Sequence, residues 1–217
     1  MASPTGDRAT MTSAKAVVLR RLSALGYPPI RIDVSGRGLT VRWSRSDVPD
    51  TIVSALTQRA ALEFRPVLQV TPGPVCTATL PPVAPDQSAQ LPQTAPNHTV
   101  TACLSLAPSA LTSPTLADAR AEPGAGQGWE VRVTFSGDSG GRFDQIAQQY
   151  YRHQLAIVID DQVISAPTVN ATRFNGTAII SGAAAQGGFT RRQAQDLAAA
   201  LISGPLPVGL IAGSVTH

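Results

Sequence analysis

Five consecutive apolar residues, Leu155 to Ile159, run into Asp160-Asp161 and return through Val163-Ile164 to Ser165-Ala166-Pro167. An apolar run broken by two polar residues is a tight β-hairpin. Asp suits the tip, because it tolerates positive φ better than most non-glycine residues and its carboxylate can bond the turn backbone. The rival reading is a carboxylate pair for acid/base or metal work. Adjacent strand residues point to opposite faces, and no second acidic cluster or His spacing completes a site, so Asp160 and Asp161 are expected to be architecture.

Upstream, residues 12–66 read as α, β, β, α, β. Thr12 and Ser13 can cap a helix with Ala14, Val18, Leu22 and Leu25 on one face, stopped by Gly26 and Pro28-Pro29. Ile30, Ile32 and Val34 alternate with polar residues, Ser-Gly-Arg-Gly turns, and Leu39, Val41 and Trp43 return. Asp47 can cap a second helix starting near Pro49, and "ALEFRPVLQV" follows as a strand.

Residues 67–115 carry much of the proline and no sustained period, so they read as a connecting excursion. Its two cysteines, Cys76 and Cys103, form no CxxC motif and have no nearby His pair, which disfavours zinc and redox chemistry. A structural disulfide is the first reading, contributing roughly 3 kcal/mol in an oxidising compartment. Two separate thiols are the other reading.

Residues 116–204 form a second α/β unit. "WEVRVTF" alternates as a half-buried strand, "SGDSGG" ends it, and Phe143, Ile146, Ala147, Tyr150 and Tyr151 mark the inward face of a helix starting near residue 142. "TAIISG" is another strand, and Thr190 with Gln193 makes a capping box for a helix ended by Gly204-Pro205. "LPVGLIAGSV" is expected to be one last strand.

Several function classes fall away. The net charge of +3 comes without a polybasic run or aromatics interleaved with arginine, so nucleic acid is not an expected partner. No stretch approaches the ~18 to 20 apolar residues that span a bilayer. Ser165, His153 and Asp144 hold the atoms of a hydrolase triad, but Gly-x-Ser-x-Gly is absent and Ser165 stands just before Pro167 in an extended segment. "GDSGG" lacks both GxGxxG and a GK[ST] ending, so a plain loop is preferred to a phosphate cradle. The sequons at Asn97, Asn170 and Asn175 carry no assigned function. No catalytic residue, metal or cofactor is expected.

The unit "LAIVIDDQVISAP", then "TAIISG", "GFT", "QAQDLAAAL" and "ISGPLPVGL", resembles the large extracytoplasmic domain of the SecD family, accessory subunits of the Sec translocase. That family shows "LAIVLDG", "VISAP", an "ITG" strand, "FT" opening a helix and "G-x-LP" at its end, in this order. "LRRLSALGYPPIRIDVSGRGLTVRW" and "ALEFRPVL" are similar to its opening helix, hairpin and "LEFRPV" strand, so the resemblance covers most of residues 12–212. Asp161 departs from the family's Gly.

The resemblance implies an α+β fold: a ferredoxin-like base (residues 12–66, with 205–217 as its returning strand) carrying an inserted α/β head (116–204), behind a disordered leader at 1–11. It further implies a noncatalytic domain on the outer face of the bacterial plasma membrane that binds unfolded or emerging preprotein beside the Sec translocon and a SecF-like subunit. Membrane contact would come only through segments outside this chain. Val163, Ile164, Ser165, Ala166 and Pro167 become candidate peptide contacts, and Gly204 and Pro205 a candidate hinge. By the resemblance, the chain starts after the place of the family's first membrane helix and stops at His217, where the second would begin. It therefore reads either as an excised outer domain or as an independent envelope binding or scaffold module. Its Ala, Gly, Pro and Arg usage fits a GC-rich genome such as an actinobacterial one.

Overall fold

The computed structural model describes residues 7–27, 29, 31–36, 38–42, 50–78, 82–94, 99–125, 128–182 and 188–213. The chain is α+β and divides into two compact units, residues 1–60 with 199–217, and residues 61–198.

In the first unit α1 runs from Arg8 to Ala24, four residues ahead of the expected cap. Asp7 is the true N-cap: its carboxylate accepts the Thr10 N–H at 2.8 Å, which holds the carboxyl below its ordinary pKa. Thr12 instead spends its hydroxyl on the Arg8 carbonyl, so it lies inside the helix, and residues 7–11, expected as leader, are ordered. Gly26, at φ 80, ends the helix; Tyr27 N–H bonds the Leu22 carbonyl and Gly26 N–H that of Ser23, the Schellman arrangement.

Strands β1 (Arg31–Ser35) and β2 (Gly38–Arg42) form the expected hairpin, with Ser35 opposite Gly38. The second helix, α2, covers Asp50–Thr57. Ile30, Trp43 and the proposed cap Asp47 lie outside the described residues. Met11, Val18 and Leu22 of α1 pack with Ile32, Leu39, Ile52, Leu56, Leu206 and Leu210 into one core. The tail from Pro205 on joins that core through Leu206 and Leu210 but is not a strand among the described residues; Ile211 makes a single bridge.

The second unit departs most from expectation. The "LEFRPV" strand, placed with the first unit by its sequence neighbours, is β3 (Leu62–Pro72) and belongs to the second. The Pro-rich excursion is largely sheet: β4 (Ala89–Thr94), β5 (Val100–Leu106) and β6 (Leu111–Thr112). Hairpin strands β9 (Leu155–Ile159) and β10 (Gln162–Ser165) complete it. The order β5-β4-β10-β9-β3, with β3 pairing back to β5, closes a ring, and β6 continues the β5 side of β3. Closure removes most of the edges that would otherwise need covering.

Ala89, Leu91, Ala102, Leu104, Leu106, Ala156, Val158 and Val163 fill the ring. Leu155, Ile157 and Ile159 are equally buried on the opposite face of β9, so this strand is covered on both sides. That accounts for its unbroken apolar run.

A second sheet has the order β11-β8-β7, from Thr177–Ser181, Trp129–Phe135 and Leu116–Pro123. Helix α3 begins at Asp138, so in "GDSGG" Gly137 is the N-cap and Asp138 to Gly141 are the first helical turn instead of a loop, and at Gly140 the Gly176 backbone approaches to 3.3 Å of where a Cβ would stand. The helix stops at Gln149, leaving Tyr150 and Tyr151 outside it and Tyr151 exposed instead of inward. Phe64, Phe135, Phe143 and Phe174 form a chain of ring contacts with centroids 4.8 to 6.0 Å apart. Helix α4 covers Arg191–Ile202, and the Thr190 and Gln193 capping box forms as expected.

Candidate functional site

The hairpin tip is built as its residues demand. Ile159 pairs with Gln162, and Asp160 and Asp161 take φ of 52° and 61°, the left-handed pair of a type I′ turn. Asp160 Oδ1 accepts the Ala61 N–H at 2.9 Å, and its own N–H donates to the Ala61 carbonyl. Asp161 Oδ1 accepts the Val83 N–H at 3.3 Å. One carboxylate thus ties the tip to the start of β3, the other to the loop before β4.

The candidate contact residues differ in their availability. Val163 is fully buried in the ring core, so its side chain cannot meet a partner at the surface. Ile164, Ser165 and Ala166 are half-buried, and Pro167 is exposed. A bulge between Val163 and Ser165 breaks the register, and beyond it the segment stays alongside the chain before β9: Leu155 N–H bonds the Pro167 carbonyl and Val169 N–H that of His153.

Gly204, at φ 81, terminates α4, and the carbonyls at this end are held by two arginines of α1. Arg20 donates to the Ser203 carbonyl at 2.9 Å, and fully buried Arg21 donates to those of Gly204, Ala55 and Gln58. The guanidinium groups satisfy C-terminal carbonyls that a helix leaves orphaned. A movement that carried the Ser203 and Gly204 carbonyls away from α1 would break the bonds to Arg20 and Arg21.

The triad atoms are not assembled. Ser165 Oγ is buried with no hydrogen-bond partner among the described residues, and Asp144 Oδ1 is taken by the Phe174 N–H at 2.8 Å. Among the described residues no three His, Cys, Asp or Glu side chains group as metal ligands. Cys76 and Cys103 are joined, with Cα atoms 5.0 Å apart, and Cys103 stands opposite both Thr71 of β3 and Pro92 of β4.

Two polar features escaped the sequence reading. Arg65 is fully buried, with its Nε 2.6 Å from Glu63 Oε2 and its other nitrogens donating to the carbonyls of Gln87, Ala107 and Ala84. The charged i, i+2 pair inside an apolar strand was the available signal. On the second sheet Glu122 pairs across the strands with Glu130. A hydrogen bond from Arg132 lowers the Glu122 pKa, whereas burial and then the Glu122 charge raise that of Glu130.

The architecture is that of an α+β protein with a closed, disulfide-pinned β-ring in one unit and a helix-and-hairpin core in the other. The family model for the SecDF P1 head subdomain matches residues 89–208. Protein translocase subunit SecDF of Thermus thermophilus is 30% identical over 212 residues, covering 96% of this chain and 28% of that protein. Subunit SecD of Rhodobacter capsulatus is 31% identical over 216 residues, 95% of this chain and 35% of that protein. A solved structure of SecDF, described as a membrane component that enhances protein export, superposes with a TM-score of 0.68 at 25% identity, covering 100% of this chain and 97% of that one. A crystal structure of SecDF in a super-membrane-facing form gives 0.70 at 26% identity, over 96% of this chain and 28% of that one. The chain belongs to the SecDF family through its P1 domain. It spans about a third or less of these two relatives, and none of its described helices is long and apolar enough to cross a membrane.

Proposed function

We propose that this chain is the extracytoplasmic P1 domain of a Sec translocase accessory subunit, that it does no chemistry, and that residues 61–198 hold emerging preprotein and assist its export. The observation that carries the reading is the superposition of the whole chain on a SecDF structure described as enhancing protein export. The Asp160 and Asp161 carboxylates and the cysteines are each engaged in holding the fold, which suits a binding role. Ile164, Ser165, Ala166 and Pro167 are the proposed contacts beside the ring, with Gly204 and Pro205 as the proposed hinge. The subunit would sit beside the Sec translocon and a SecF-like partner, with the domain on the outer face of the plasma membrane.

The test places photo-crosslinking residues at Leu68, Ile164, Pro167 and Asn170 in the membrane-embedded subunit during export of a stalled preprotein. Adducts at one or more of these positions are expected. A scan of the surface of residues 61–198 that yields no adduct would remove the reading and favour an envelope scaffold that reuses the fold.

A further inference from the structure

Strand β3 outruns one of its neighbours. β9 accompanies it from Leu62 to Pro66, the last bond on that side is Val67 N–H to the Gln154 carbonyl at 3.1 Å, and from Gln69 to Pro72 it keeps only β5. Along this stretch one edge of β3 has no strand beside it among the described residues. Gly73 N–H donates to the Thr101 carbonyl at 3.0 Å, which puts Thr71 and Gln69 in the bonded phase with β5. The alternation of an antiparallel ladder then turns the N–H and C=O of Val70 to the open side. Leu68 and Val70 are 64% and 39% exposed, and Val75, just beyond, 79%. From Pro66 to Pro85 there is no Asp, Glu, Lys or Arg.

The contrast with β7 sharpens the point. That outer strand of the second sheet carries Asp118, Arg120 and Glu122, paired as Arg120–Asp118 at 2.5 Å and Arg132–Glu122 at 2.6 Å, and ends in Pro123. Charges and proline discourage strand addition at an edge. The β3 edge has no charge, and its proline comes only at Pro72. Cys103, opposite Thr71, is bonded to Cys76, so the disulfide pins this ribbon in extended form.

We infer that the edge of β3 from Leu68 to Pro72 is a docking edge for an extended, uncharged polypeptide segment, which adds as a strand beside Val70 and lays apolar side chains against Leu68 and Val70. The inference rests on the preprotein-binding reading above and names its contact. The occupant follows from the complementarity of the surface. Outward main-chain N–H and C=O groups are matched by another main chain, and a surface without charge matches uncharged side chains. Such pairing accepts many sequences.

The test titrates the full chain against a fluorescent peptide of about seven alternating Val and Thr residues, and against the same peptide N-methylated at alternate residues so that one of its edges cannot donate. The plain peptide is expected to bind. Leu68→Lys and Val70→Lys should each weaken it roughly tenfold with little change in melting temperature, since both side chains are exposed, and N-methylation should weaken it similarly. Binding indifferent to both substitutions and to N-methylation overturns the edge. So does a dimer, seen by sedimentation, that Val70→Lys dissolves and the peptide does not displace. Preprotein adducts confined to other parts of residues 61–198 remove this edge and leave the preprotein reading standing. If no extended peptide binds and no preprotein adduct forms anywhere, both are removed.

Discussion

Glu63 and Arg65 lie two residues apart on the same face of β3, and the Arg65 Nε stands 2.6 Å from Glu63 Oε2 with both side chains buried. The guanidinium also collects the carbonyls of Ala84, Gln87 and Ala107, so a single side chain ties β3 to the loop before β4 and to the end of β5. Arg65→Met should destabilise the domain by about 3–5 kcal/mol, because it leaves Glu63 buried without its partner. The double variant Glu63→Leu, Arg65→Met should recover part of that loss. Urea unfolding of the three proteins measures both; equal stability of single and double variants would show that the carbonyl bonds, and not the ion pair, dominate.

The hairpin tip separates backbone strain from side-chain bonding. Asp160→Ala loses the bond to Ala61 and leaves an alanine at φ 52°, so it should cost about 1–3 kcal/mol. Asp161→Gly relieves the backbone at φ 61° while losing the longer bond to Val83, and should be near neutral. Thermal unfolding of the pair is the check, and a costly Asp161→Gly would make the Val83 bond the more important one.

Replacing Cys76 and Cys103 by Ser opens a loop with a sequence separation of 27 and should lower stability by roughly 3 kcal/mol. The wild-type chain treated with reductant should then unfold at the same denaturant concentration as the double Ser variant. A midpoint that reductant leaves unchanged would mean that the bond does not constrain the unfolded chain.

Glu122 and Glu130 give pH dependences of opposite sign. Glu130 has a raised pKa, so its contribution is fully present below its unfolded value near 4.5 and is lost as pH rises through the folded value. Glu130→Gln should therefore gain roughly a few tenths of a kcal/mol over wild type at neutral pH, and that gain should vanish in acid. Glu122 has a lowered pKa, so its contribution is present above its unfolded value near 4.5 and is lost as pH falls through the folded value. Glu122→Gln should be the less stable protein at neutral pH and converge on wild type in acid. Melting temperatures from pH 3 to pH 8 test both, and parallel curves would refute the assignment.

Much of this protein follows from local rules. The helix stop at Gly26, the Thr190 and Gln193 box and the turn at Asp160-Asp161 each depend on a few adjacent residues, and each appears where its residues place it. The N-cap was misplaced by a few residues because Asp7, Thr12 and Ser13 are all good caps, and burial of Met11 selects the longer helix.

Other features needed partners distant in sequence. β4 and β5 hold a proline, a disulfide and little periodicity; they pair with each other as a hairpin, and β10 and β3, some 30 to 70 residues away along the chain, supply the outer ladders that hold that hairpin in the sheet. β3 reads by proximity as part of the first unit, yet its hydrogen bonds go to β5, β6 and β9 in the second. The edge beside Val70, open among the described residues, is likewise invisible in sequence, because it arises where β9 ends before β3 does. Turn and cap chemistry is set by neighbours, so the sequence determined it alone; strand pairing, closure of the ring and the edge left unpaired are set by which distant backbone groups meet, and only the tertiary structure decided those.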